Sequence, residues 1–466
     1  MIGQWARFVL HMVSLAVLAR ILDPADYGTL AMVMALVGVA TILGDFGLSM
    51  ASIQSQSLTA AQRNNLFWLN VALGLITAGT VFLLAEPIAI FYDRPELADV
   101  TRVLSLVFLL NASAAQFRAE ATRKLRFKWL ASTDVAAQAI SLVAAVLAAL
   151  AGAGYWALVV QQISLASTSL IFLVVAARWL PGLPQKRAQM RSLITFGANT
   201  MGIQAINYAS SNVDSVLLGR FWGATQLGFY DRAYQLFRLP LQQIAAPMTR
   251  VALPILSKLN NTPSFDKYIE RAQLLLAYLF GGMFFFAAAV SSPLIDILLG
   301  DNWGASKVLF SILAIGGLFQ ALGYVYYWIF LAKAMTGLQL RFTIWTRLLM
   351  IALIAVGTFF GPLGVAIAST SGLALNWAIL SVFAVPRTGV NVGRLTLIAG
   401  RPMVIFAGMF AVVASTNLLL TGWNPWLQLL TLTFAAAVYL GLVYLLARPM
   451  RRDIGLIIDT ARLMRK

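Results

Sequence analysis

The sequence predicts an all-α integral membrane protein of about 14 transmembrane helices, built as two pseudo-symmetric six-helix lobes plus two extra C-terminal helices. Three observations lead there. The 466 residues are 60% hydrophobic and only 11% charged, against roughly 25% charged in a soluble domain. Apolar runs of spanning length recur along the whole chain. Short marks in the first half reappear 200 residues later.

Taken in order, the apolar segments have approximate limits 2–22, 29–50, 66–85, 100–120, 132–151 and 154–177 in a first lobe, residues 1–180. Segments 193–217, 229–257, 271–291, 306–332, 342–360 and 363–384 belong to a second lobe, residues 181–386. Segments 399–420 and 426–447 are the two additional helices, residues 387–447, and a basic amphipathic tail occupies 448–466. The Pro-, Gly- and Lys/Arg-bearing stretch RWLPGLPQKRAQMR, Arg178 to Arg191, links the lobes.

Lys and Arg set the orientation, because cytoplasmic loops collect them. With the N-terminus inside, Arg118, Arg123, Lys124, Arg126 and Lys128 share one inner loop, Arg178, Lys186, Arg187 and Arg191 the next, and Arg387, Arg394 and Arg401 a later one. Six more basic residues lie in the tail, whereas Asp23, Asp26, Glu86, Asp93, Glu96, Asp99, Asp296 and Asp301 fall in outer loops. Both ends are expected in the cytoplasm. The net charge of +17 is therefore a topology signal, and nucleic acid is not expected as a partner. In the tail, Ile454, Ile457, Ile458, Ala461 and Met464 share one helical face with basic residues elsewhere, which predicts an interfacial helix in contact with membrane lipids. No basic leader with a cleavage site precedes the first segment, which reads as an uncleaved span.

The repeat is of the parallel kind. Leu18, Arg20 and Gly28 of LARILDPADYG recur as Leu218, Arg220 and Gly228 of LGRFWGATQLG, and Pro87 has a counterpart in Pro293. An offset of six helices keeps both halves the same way up, an architecture that usually holds substrate between lobes and alternates access by rocking them.

Phe229 to Leu259 is long enough to span a bilayer yet carries Arg232, Arg238 and Arg250, Gln235, Gln242 and Gln243, and Pro240, Pro247 and Pro254. At about 100° per residue, Arg232, Gln235, Gln242, Gln243 and Arg250 gather on one arc of roughly 140°, with Arg238 at its edge. Ionisable groups at membrane depth face a bundle interior or a water-filled cavity, and three prolines should bend the helix. A helix lining a cationic cavity is expected. Arg7, His11 and Ser14 follow Gln4 on one face of the first segment, and Asn111 and Arg118 share a face of the fourth. The seventh carries Asn207 and Asp214 on one face. Asp45 and Asp134 are acids within spans, readable as ion-pair partners, helix caps or ion-coupling groups.

The chain has no cysteine and a single histidine, which excludes disulfides, thiolate chemistry and a histidine metal cluster. It contains no Walker loop, HExxH or DxD. A non-enzymatic protein without a cofactor is expected.

Three stretches bear a family likeness: DFGLSMASIQSQSLTAAQRNNLFWLNVALGL from Asp45, NVDSVLLGRFWGATQLGFYDRAYQLFRLPLQQIAAPMTRVALPILSKL from Asn212, and LGDNWGAS from Leu299. They resemble the Wzx-type polysaccharide exporters, specifically the WzxC-like branch. That branch belongs to the multidrug/oligosaccharidyl-lipid/polysaccharide flippase (MOP, MATE-like) superfamily, which also holds drug exporters and the lipid II flippase. The likeness runs from Leu15 to Pro386. It implies transport of a polyprenyl-diphosphate-linked oligosaccharide across the bacterial inner membrane for exopolysaccharide, capsule or lipopolysaccharide synthesis, by alternating access around a cationic cavity to which Arg238 and Arg250 contribute. It also implies glycosyltransferases and a polymerase of the same pathway as partners, with the exporter itself a monomer. The fixed charge and forked donors of arginine suit diphosphate and acidic sugars. A lipid II flippase and a cation-coupled drug exporter are the alternatives; the second would want acids rather than arginines in its pocket.

Overall fold

In lipid, backbone polar groups must be satisfied within the chain, and helices do this segment by segment. The computed structural model describes residues 2–40, 46–54, 58–177, 179–185, 190, 194, 201, 208, 211–260 and 262–463, and every regular element among them is helical. Among the described residues, ten helical stretches are long and apolar enough to cross a membrane. In the first half they are α4 (Ala60–Leu83), α6 (Glu96–Arg123), α7 (Phe127–Leu150) and α8 (Trp156–Ala177). In the second they are α11 (Ser264–Ala289), α13 (Gly304–Ala332), α14 (Thr336–Thr358), α15 (Gly361–Ile379) with its continuation to Thr388, α16 (Val392–Leu419) and α17 (Pro425–Leu446). The first, second, seventh and eighth of the expected segments are not among the ten. The first is α1 (Ile2–Ile21), with its polar stripe; the second begins as the 14-residue α2 (Pro24–Val37) and resumes as α3 (Leu48–Gln54). Most of the seventh falls outside the described residues. The eighth is broken by its own sequence: α9 (Val213–Pro240) runs into a π-helical turn, Leu241–Ala245, before α10 (Ala246–Leu259). The proline ring at 240 removes one backbone donor, and the wider turn absorbs the misfit.

The chain divides into two compact units, Met1–Gly228 and Phe229–Lys466. Residues 181–228, placed with the second lobe by the sequence pattern, cluster with the first unit, and the close approaches of Gly28, Gly38 and Gly228 show why. In that unit α4 packs on α6, α6 and α7 on α8, and α1 on α7. The linker is tied down over its first half. The Asn65 side chain donates to the Gln185 carbonyl at 2.8 Å and accepts the Gln185 N–H at 2.7 Å, Trp68 Nε1 donates to the Gly182 carbonyl at 2.9 Å, and the Arg63 guanidinium lies 4.2 Å from the Trp179 ring.

The repeated marks at 18–28 and 218–228 meet each other. A Cβ on Gly28 would lie 1.7 Å from the Ala224 carbonyl oxygen, and one on Gly228 would lie 1.8 Å from that of Pro24. Residues 24 and 224 are themselves counterparts in the repeat, so the contact is reciprocal. Gly223, at φ 79° and ψ 177°, divides α9 just before this crossing, in a conformation glycine adopts without the cost borne by other residues. Leu18 and Leu218 are buried, and Arg20 and Arg220 exposed. The eight-residue helices α5 (Ala85–Tyr92) and α12 (Ser291–Leu298) carry the paired Pro87 and Pro293, each between two long helices.

In the second unit α13 packs on α11 and α15, and α14 on α15. The two additional helices join through α16, whose Phe406 ring fits against Gly281 and Gly282 of α11. The tail helix α18 (Arg448–Leu463) packs on α11 and α17.

Gly28→Ala and Gly228→Ala should each destabilise the protein by about 1–3 kcal/mol, since no flexible side chain can yield to the added methyl. Gly79, with nothing within 4 Å of its would-be Cβ, is the control: Gly79→Ala should be neutral or stabilising in the same thermal melts.

Candidate functional site

On α6 a run of small residues, Ala112, Ala115 and Ala119, shares a face with Asn111, Arg118 and Thr122, and small side chains leave a hollow beside the long ones. A cavity of about 470 Å³ opens there. Arg7 of α1, Ser49 of α3, Asp134 and Gln138 of α7, and Gln162 and Ser169 of α8 complete its polar lining, with aliphatic residues between them.

Three of the residues singled out on separate segments meet at this cavity. Arg118 Nη2 donates to Asp134 Oδ1 at 2.7 Å and its Nη1 to Oδ2 at 3.3 Å, while Arg7 Nη1 donates to the same Oδ2 at 3.3 Å. Two guanidinium groups thus share one carboxylate, leaving one net positive charge. Asp134 is 19% exposed, Arg118 41% and Arg7 59%, so the acid is the fixed member and Arg7 the loosely held one. His11, one turn further along α1, is half-buried and does not line the cavity. Ser14 accepts a hydrogen bond from Gln161 Nε2 of α8 at 2.7 Å. Asp214 is buried, and its Oδ1 accepts the Ser215 N–H at 2.8 Å. Asn207 and Asp45 lie outside the described residues.

In the second unit the polar arc of α9 resolves into different environments. Arg232 is ion-paired with its neighbour Asp231 at 2.6 Å and is only 14% exposed. Gln235 is half-buried, and its Oε1 has no hydrogen-bond partner among the described residues. Gln242, in the π-helical turn, and Arg250, on α10, are exposed. Arg238 caps an aromatic ladder: Tyr230 stacks on Tyr234 with centroids 5.6 Å apart, and the Arg238 guanidinium lies 5.4 Å from the Tyr234 ring. The ladder follows from spacing i, i+4, i+8 on one helix face, and Tyr230 OH is held to Ser369 Oγ at 3.2 Å. Arg347 of α14 lies within electrostatic range of both Arg238 and Tyr234, and Tyr324 of α13 within range of Arg238. Neither Arg238 nor Arg347 has an ion-pair partner among the described residues.

Sequence reasoning missed Arg347, which sits near the start of the expected segment 342–360, where a long side chain reads as snorkelling, whereas α14 places it at mid-helix. It also missed Gln138 and Gln162, although Gln138 stands one turn from Asp134 and Gln162 shares a face with Ser169. Among the described residues no group of three His, Cys, Asp or Glu could hold a metal ion.

The fold is that of membrane flippases and transporters. It superposes on the lipid II flippase MurJ in an inward closed conformation with a TM-score of 0.76 over 95% of this chain and 98% of that one, at 13% identity. An inward-facing multidrug resistance MATE transporter of the MOP superfamily matches with a TM-score of 0.61 over 82% and 94%, also at 13% identity. Residues 17–308 match the family described as polysaccharide biosynthesis protein, and the chain belongs to that family. Among curated relatives, the lipopolysaccharide biosynthesis protein WzxC of Escherichia coli (strain K12) is 28% identical over 78% of this chain and 74% of its own length. The succinoglycan biosynthesis transport protein ExoT of Rhizobium meliloti (strain 1021) is 26% identical over 67% and 64%.

In apparent melting temperature, the double variant Arg118→Gln, Asp134→Asn should cost less than the sum of the two single changes, because each single change leaves a charge unpaired that the double variant removes. Arg7→Gln should be nearly silent, as an exposed pair contributes at most about 1 kcal/mol.

Proposed function

We propose that the chain exports a lipid-linked saccharide with an anionic head group, a polyprenyl-diphosphate-linked oligosaccharide, across the bacterial inner membrane by alternating access. The observation that carries this reading is the cavity at which Arg7 and Arg118 converge on Asp134, with Asn and Gln amides around them: guanidiniums suit a diphosphate, amides suit sugar hydroxyls. The family described as polysaccharide biosynthesis protein and the transport named for the succinoglycan relative support it. Arg238 with Arg347, and Arg250 further along, are proposed as the anion-binding groups of the second unit. Asp134 is proposed as the resident counter-anion that the diphosphate displaces. Both termini are proposed to lie on the inner side, where the basic loops and tail collect.

Reconstituted in vesicles with a lipid-linked oligosaccharide, Arg118→Ala and Arg238→Ala should each slow translocation on the order of tenfold or more, the effect of removing a charged hydrogen bond. Undiminished translocation in both variants would remove the arginines from the pathway. Because the natural chain lacks cysteine, single substitutions report sidedness: in intact cells Asp93→Cys should react with an impermeant maleimide and Arg452→Cys should not. The reverse pattern would invert the topology.

A further inference from the structure

The tail helix α18 is left over by the export reading. At about 100° per residue, Met450, Asp453, Ile454 and Ile457 share one face, and Arg448, Arg451 and Arg452 share the opposite one. The first face is turned to the protein: Met450 and Asp453 are buried, Ile454 and Ile457 half-buried. Asp453 sets the rotation of the helix. Its carboxylate, 5% exposed, accepts the Tyr278 hydroxyl at 3.2 Å and lies 3.9 Å from the Arg401 guanidinium. Rolling the helix over would bury arginines beside Arg401 and strip Tyr278 of its acceptor.

With that face docked, the three arginines are held outward, exposed and without an ion-pair partner among the described residues. Their position along the chain matters as much as their charge. A single extended residue, Ala447 at φ −93° and ψ 101°, separates α17 from α18, so the arginines follow directly on the end of a membrane span. Leu442, Leu445 and Leu446 on the last turns of that span are exposed, Leu446 by 81%. An exposed aliphatic wall capped at once by guanidiniums has the chemistry of a phospholipid in reverse: acyl chain against leucine, phosphate against arginine.

We propose that the junction of α17 and α18 binds anionic phospholipids of the bilayer, with phosphates taken by Arg448, Arg451 and Arg452 and acyl chains laid along Leu442, Leu445 and Leu446. An acidic soluble protein would satisfy the arginines but would leave the leucines uncovered, which favours a lipid. Each arginine near such a surface contributes about fivefold in affinity.

The test uses the full chain in neutral detergent, with phosphatidylglycerol and phosphatidylcholine supplied in equal amounts and retained lipid counted by native mass spectrometry. The wild-type protein should retain phosphatidylglycerol preferentially. The triple variant Arg448→Gln, Arg451→Gln, Arg452→Gln should lose at least tenfold of that preference, and the triple lysine variant should keep it. Asp453→Asn, with all three arginines intact, should weaken the preference by loosening the helix that presents them. Equal retention of both lipids by the wild-type protein, or an undiminished preference in the glutamine variant, would overturn the proposal.

Discussion

A charged side chain at membrane depth must be given a partner or water, and the first unit is arranged around meeting that demand. The carboxylate of Asp134 serves two arginines from two other helices, α1 and α6, so its own helix, α7, is fixed between them. The alanines of α6 keep the neighbourhood open enough for the long side chains to reach. Replacing those alanines by leucine-sized residues would fill the hollow that makes a polar cluster tolerable there. In the second unit the same demand is met without an acid. Arg238 lies over the face of Tyr234, whose ring quadrupole attracts a cation, and Tyr230 and Ser369 hold the ladder in place.

The second constraint is steric and comes from the repeat. A duplicated sequence mark need not touch its copy, yet here Gly28 approaches the backbone at 224 and Gly228 the backbone at 24. The absence of a side chain at each copy is required by the backbone of the other, which explains why both positions are glycine. Gly38 works alike: the Tyr208 hydroxyl occupies the place of its missing Cβ and donates to the Met34 carbonyl at 2.6 Å. These contacts gather residues beyond the linker into the first unit. The described part of that linker, residues 179–185, is held at Asn65 and Trp68, so the prolines and glycine within it belong to a strap rather than a slack hinge.

Much of this was legible in the chain. Of the fourteen segments expected from hydrophobic length, ten coincide with helices long and apolar enough to cross a membrane among the described residues, and helical periodicity put Arg7 and Arg118 on polar faces of two separate segments, with Asp134 an acid inside a third. Periodicity has no term for which helices become neighbours, so the meeting of those three at one cavity could not be read. One pair lies along a single helix against the helical spacing: adjacent residues diverge by about 100°, yet the Arg232 guanidinium folds back to Asp231 at 2.6 Å. The tail shows the converse. Its apolar stripe was visible, but Asp453 lies within the buried face, and only the presence of Tyr278 and Arg401 makes an acid there reasonable.

If the cavity takes an anion, as proposed, an acid within it looks like a defect until the empty state is considered. On the proposed export reading, an arginine pair left bare would offer a diphosphate the whole of its attraction, and a cargo held by all of it would be slow to leave. On that reading, with Asp134 in place, diphosphate binding would exchange one anion for another. The gain is then the difference between two similar interactions rather than the whole of one, and a carrier that must release its load on the far side needs that difference small. The exposure gradient, from Asp134 through Arg118 to Arg7, fits such an exchange: the outermost guanidinium, with the longest contact, can turn to an incoming anion while the inner pair still holds.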